Sequence, residues 1–205
     1  MKYIFVAGAP GSKWSSVVKN IYWSNSIDHT DYSDARTYYH DASGTRDLMH
    51  LGVYFDPGME FALPEKLDSL GRAQLERIFD QPFIGREIRI IKSHLFSEYI
   101  DYLKKEFPEI PIVMVDRSDD ACLGWWVKCG HFDITYPRYE IYFKDLRTMA
   151  GIIKRQNAAI RQAAQEYPCQ QPATNLQLAR MLGIEIPSRE YQQNYAESDI
   201  KVTVI

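Results

Sequence analysis

MKYIFVAGAPGSKWSS, residues 1–16, governs how the rest of the chain is read. Tyr3-Ile4-Phe5-Val6-Ala7 is an unbroken apolar run, too brief for a helix and stopped by Gly8, which is the pattern of a buried strand. Gly8 to Ser16 then combines glycines, hydroxyls and a lysine, and Val17-Val18-Lys19-Asn20-Ile21 begins a helical spacing. A strand that turns through glycines into a helix leaves the first helical N–H groups without internal partners, at the positive end of the helix dipole. The stretch reads as a cradle for a phosphate-like anion. It is not a Walker A loop, which ends in Gly-Lys-Ser/Thr. Here Ser12 precedes Lys13 and Trp14 follows it, so the Mg²⁺-binding hydroxyl is misplaced and the loop is short. A strand-to-helix turn with no ligand is the competing reading.

Outward from this stretch, strands and helices alternate. Leu67–Phe79 has amphipathic helical spacing, Glu87–His94 reads as a second strand, and Phe96–Phe107 as a helix closed by Pro108 and Pro111. Ile112-Val113-Met114-Val115 is a third, buried strand. Asp119 or Asp120 is expected to cap the next helix, from Ala121 to about Cys129. Helices over Phe143–Glu166 and Asn175–Leu182 follow, and Lys201–Ile205 reads as an edge strand or a docking segment. This alternation predicts an α/β fold with a central parallel sheet and helices on both faces. The expected organisation is one domain over residues 1–187 with a polar tail over 188–205.

Residues 23–64 are aromatic and polar with little periodicity, and a long irregular insertion of this kind is read as a substrate-facing segment. Its His29, His40 and His50 have no metal-ligand spacing relative to the nearby aspartates, so no metal is expected. The net charge of −3 argues against a nonspecific nucleic-acid binder, and no apolar run nears the roughly 20 residues of a membrane helix. The N-terminus does not resemble a signal peptide, and three cysteines (Cys122, Cys129, Cys169) without metal spacing fit a reducing compartment. A cytoplasmic location is the expectation.

Ligands of open α/β sheets bind beyond the carboxyl ends of the strands. Three polar groups are predicted there: the Gly8–Ser16 loop, the Lys92/His94 pair and Arg117. Lys92 and His94 stand two apart and so face the same side of their strand. A lysine there can stabilise a leaving group while the histidine takes a proton from a nucleophile. A solvated strand edge without function is the alternative.

These motifs resemble those of sulfotransferases that use 3′-phosphoadenosine 5′-phosphosulfate. Lys92-Ser93-His94-Leu95 is similar to the family's Lys-Thr-His-Leu-Pro, and Pro10-Gly11-Ser12-Lys13-Trp14-Ser15-Ser16 to its Pro-Lys-Ser-Gly-Thr-Thr-Trp loop. Val115 to Trp126, with one residue deleted, resembles its Arg-Asn-Pro-Lys-Asp-x-x-x-Ser stretch, Gly124 falling at the serine. The resemblance covers roughly residues 1 to 130, plus Tyr142–Leu146. It implies a P-loop NTPase-like sulfotransferase architecture, a three-layer sandwich, and a sulfuryl donor that leaves as 3′-phosphoadenosine 5′-phosphate. It further implies that His94 is the general base, that Lys92 contacts the departing oxygen, and that Ser12, Ser15 and the loop amides hold the 5′-phosphate. Lys13 is the candidate for the family's loop lysine, Ser16 and Trp14 complete the loop, and Arg117 holds the 3′-phosphate. The acceptor is implied to be a small molecule, carbohydrate or peptide, with no metal in the reaction. The chain departs from the pattern at Gly11, which stands where the loop lysine belongs, at Gly124 in the 3′-phosphate serine position, and at Phe96 in place of proline. No Arg-Lys-Gly segment follows near the C-terminus. At most one of Trp14, Trp125 and Trp126 is a candidate to stack on adenine, since adjacent tryptophans more often anchor a helix in the core. A nucleotide or small-molecule kinase with an aberrant loop and a catalytically silent binding protein remain as alternatives.

Overall fold

Alternating side chains of the opening strand divide the molecule into two cores. The computed structural model describes residues 1–36, 38–39, 49–128, 145–185 and 193–205. In it β1 (Tyr3–Gly8) runs into α1 (Trp14–Tyr22). A two-residue antiparallel ribbon, β2 (Tyr38–Tyr39) with β3 (Met49–His50), precedes α2 (Arg72–Asp80) and β4 (Arg89–Lys92). After α3 (Ile100–Glu106) come β5 (Ile112–Asp116), α4 (Asp119–Lys128), α5 (Leu146–Glu166), α6 (Asn175–Met181) and β6 (Lys201–Val204).

The main sheet has the order β4-β1-β5-β6. β1 pairs in parallel with β4 and β5, whereas β6 pairs antiparallel with β5, so the sheet is mostly rather than wholly parallel. Tyr3, Phe5, Ala7, Ile91, Ile112 and Met114 face one core, shared with Phe79 of α2, Leu103 of α3 and Ile160 of α5. Ile4, Val6, Ile90, Val113 and Val115 face the other, with Val17 and Ile21 of α1 and Leu178 of α6. A strand buried on both faces loses the alternation of polar and apolar residues, which is why β1 reads as a continuous apolar run.

Several element ends differ from the sequence expectation, for local reasons. The second strand is cut to Arg89–Lys92 because Ser93 Oγ accepts the Leu95 N–H and starts a 3₁₀ turn over His94–Glu98. The helix after it is correspondingly shorter, beginning at Ile100. Ser118, not Asp119 or Asp120, caps α4: its Oγ accepts the Ala121 N–H at 3.3 Å, and the two aspartates sit in the first turn. Negative charge is favoured there by the helix dipole. Asp145 caps α5 by accepting the Thr148 N–H at 2.7 Å; Phe143, Lys144 and Cys129 lie outside the described residues. The stretch set apart as a tail from residue 188 is part of the packed fold where it is described. Tyr195, Ile200 and Val202 are buried, and Gln193 Oε1 accepts from Ser16 Oγ and Asn20 Nδ2 of α1.

Candidate functional site

Parallel pairing brings three strand ends to one edge, with Val6 opposite Lys92 and Gly8 opposite Val115. The loop after β1 is held by its backbone. Gly11 has φ +77°, and a Cβ there would lie 2.1 Å from the Cys122 carbonyl oxygen, so only glycine lets the loop rest on α4. Lys13, at φ +63°, occupies the N-cap of α1 in the left-handed region that a lysine enters at a cost of about 1 kcal/mol. Arg117, nearly enclosed, donates from Nη1 to the carbonyls of Gly11 (3.2 Å) and Ala121 (3.1 Å), tying the loop to the end of β5.

Two donors at this loop have no hydrogen-bond partner among the described residues: Ser12 Oγ and Arg117 Nε. A buried polar group left unpaired costs about 1–3 kcal/mol, so both suit an anion that would accept from them. Of the loop's other members, Pro10 and Trp14 are buried. Ser15 Oγ is 3.0 Å from His50 Nε2, whereas Ser16 is committed to Gln193, on the segment leading to β6. Lys13 Nζ reaches the Ser198 carbonyl at 3.3 Å and lies 5.0 Å from the Trp125 ring. Gly124 is exposed on α4 with open space around its Cβ position, so no steric demand accounts for glycine there. Of the tryptophans, Trp126 is buried beside Met149 and Ile153, while half-buried Trp125 stands among Lys13, Arg117 and Lys128.

His94 is drawn against the loop. Its Nδ1 is 2.5 Å from the Gly8 carbonyl oxygen. A carbonyl only accepts, so Nδ1 carries a proton, and in the neutral ring the lone pair lies on Nε2. The ring packs on Trp14, with centroids 4.3 Å apart, and is 6% exposed. Lys92 faces the same side, as expected, but its ammonium donates to the Leu51 carbonyl and lies 4.6 Å from the Tyr54 ring. Burial lowers its pKa to about 8, opposed by the charge of Asp31. The two residues thus share a neighbour in Tyr54, whose ring is 6.5 Å from that of His94, while their polar atoms serve different partners.

The aromatic segment contributes a residue that spacing did not single out. Asp56 Oδ1 accepts from Ser93 Oγ and the His94 N–H, both at 2.7 Å, and so fixes the turn that presents the histidine. Its only sequence signal is an Asp-Pro-Gly turn at 56–58. Other polar residues of the segment are structural: Asp31 accepts from Tyr22 Oη and the Val53 N–H, and Asp28 from Thr30. His40 lies outside the described residues. Beside His94 a cavity of about 190 Å³ opens between the 56–65 segment, the 3₁₀ turn and α5.

Among the described residues no helix is long and apolar enough to cross a membrane, and no three His, Cys, Asp or Glu side chains are grouped to hold a metal ion. No protein-family model, curated protein or solved structure matches the chain.

Proposed function

We propose that this protein is a sulfotransferase of the P-loop-like type, moving a sulfuryl group from 3′-phosphoadenosine 5′-phosphosulfate to a hydroxyl or amine acceptor. The observation that carries the reading is the hydrogen bond of His94 Nδ1 to the Gly8 carbonyl. It puts a proton on Nδ1, so that in the neutral ring the lone pair is on Nε2, and it ties the imidazole to the last residue of the strand that enters the anion loop.

Ser12 Oγ, the Arg117 Nε–H and the first N–H groups of α1 are the groups that would hold the donor's phosphates, with Lys13 supplying charge. When bound, the donor supplies a sulfuryl group whose bond to the 5′-phosphate oxygen breaks as a bond to the acceptor forms. His94 Nε2 takes the proton the acceptor loses. The loop amides, Ser12 and Lys13 offset the negative charge left on the phosphate, the positioning and neutralisation that phosphoryl-type transfers require. Lys92 stays mostly protonated at pH 7, and its bond to Leu51 anchors the segment that carries Asp56.

The test is in two parts. Adding 3′-phosphoadenosine 5′-phosphate to the full chain should raise Tm by mass action. His94→Gln should then lower transfer by about 10²–10⁴-fold while that shift persists. No shift at millimolar nucleotide sinks the reading. A silent binding protein is the second reading, favoured by Gly124 in the serine position and by the commitment of Arg117 Nη1 to backbone carbonyls. A nucleotide-dependent shift without turnover over an acceptor panel would favour it.

A further inference from the structure

The cavity beside His94 has walls that accept hydrogen bonds and offer almost none. Three carboxylates line it, Asp56, Glu65 and Glu98, against one guanidinium, Arg155. Arg155 is spent on Glu98, donating from Nε at 2.8 Å and Nη2 at 3.2 Å, so the remaining charge is negative. Gln156 also faces Glu98, its Nε2 donating to Oε1 at 3.1 Å. A carboxylate only accepts, which fixes the Gln156 amide with Nε2 toward Glu98 and leaves Oε1 with no donor among the described residues. Asp56 is in a similar state: Oδ1 serves the 93–95 turn and Oδ2 has no partner among the described residues. Both side chains are only 5% exposed.

Two enclosed oxygens without donors among the described residues, on side chains that line a wall of net negative charge, favour a compact cationic donor. A neutral hydroxyl brings one donor and no charge, and an anion is repelled. A primary ammonium brings three donors and the compensating charge. At about 190 Å³ the cavity has room for a small molecule.

We propose that this cavity binds a small hydroxylated primary amine through its ammonium group, with Asp56 Oδ2 and Gln156 Oε1 as the acceptors. That this ligand is the sulfuryl acceptor rests on the function proposed above, whereas its chemical class rests on the cavity alone. The alternatives of a neutral sugar or an acidic peptide leave both oxygens without a charged donor.

Three probes of equal length separate these cases: 6-aminohexan-1-ol, hexane-1,6-diol and 6-hydroxyhexanoate, titrated calorimetrically into the full chain at pH 7 with and without 3′-phosphoadenosine 5′-phosphate. The amine is expected to bind about tenfold or more tightly than the diol, and the carboxylate not measurably. Asp56→Asn keeps an oxygen for the 93–95 turn and removes the charge. It should bring the amine within about threefold of the diol with nucleotide affinity unchanged. Gln156→Met, which leaves Asp56 and its turn intact, should erode the same preference and covers the case in which Asp56→Asn does not fold. Equal binding of the three probes, a preference for the diol, or nucleotide binding with no measurable amine binding overturns the proposal. Amine selectivity without any nucleotide binding supports the ligand class and removes sulfuryl transfer as its purpose.

Discussion

The two ends of the sheet treat their polar groups in opposite ways. At the amino end of β1 the charges are closed on one another. Asp80 accepts from Lys2 Nζ (2.7 Å), Tyr3 Oη (2.6 Å) and Arg89 Nη1, and Arg89 Nε, with no hydrogen bond among the described residues, faces Asp28 Oδ2 at 3.7 Å. At the carboxyl end Ser12 Oγ, Arg117 Nε, Asp56 Oδ2 and Gln156 Oε1 have neither hydrogen bond nor ion partner among the described residues, and a lysine is buried whole. A chain tolerates unpaired buried polar atoms at about 1–3 kcal/mol each only where something outweighs them. On the function proposed above, these unpaired atoms are where a ligand would bind, whereas the ion pairs at the other end serve the fold.

Three measurements sharpen or break that contrast. The largest effect concerns Lys92, whose folded pKa of about 8 lies below its ordinary 10.5 because it is desolvated. Below pH 8 both states are protonated and the full penalty, ~3 kcal/mol, acts against folding. Between pH 8 and 10.5 the unfolded chain binds more protons than the folded one, so stability rises with pH. Urea unfolding should show this rise in the native chain and its absence in Lys92→Met; parallel pH profiles would break the contrast.

Next in size is Asp80→Ala, which strips the closed end of its common acceptor and should cost about 2 kcal/mol. Burial alone would raise the Asp80 pKa, but hydrogen bonds from Lys2 and Tyr3, with the charge of Arg89, hold it below the usual value of 3.8. The stability it adds is therefore complete above its unfolded pKa and is lost as pH falls through the lower folded one. An Asp80→Ala chain should lack that last portion of acid sensitivity in the same urea series.

The smallest effect on stability belongs to Ser12→Ala at the open end. Removing a buried hydroxyl without a partner should raise unfolding free energy by about 1 kcal/mol, the low end of that cost, while weakening 3′-phosphoadenosine 5′-phosphate by about three- to tenfold. A serine whose loss destabilised the fold and left nucleotide affinity unchanged would reverse its assignment.

The N-terminal strand, the glycine turn and the positions of the two flanking strands are legible in the chain because burial on both faces and the turn residues act locally. Helix ends are less so: Ser93 and Ser118 reset them by one to several residues, through single side-chain hydrogen bonds that periodicity does not register. The His94 and Lys92 pair shows the limit most plainly. Two-residue spacing puts both on one face, but whether they act on the same atoms depends on partners far away in the chain, Gly8 for one and Leu51 for the other.

By itself the sequence determined a buried strand leading through glycines into a helix, and two later strands followed by Ser-His and by Arg-Ser. These are consequences of local periodicity and backbone conformation. Only the tertiary structure decided that β6 closes the sheet antiparallel, that Asp56 sets the His94 turn, and that Lys92 is held by a carbonyl. The physical reason is that a polar atom's state is defined by its nearest donor or acceptor. In a folded chain that partner is chosen by packing rather than by sequence distance.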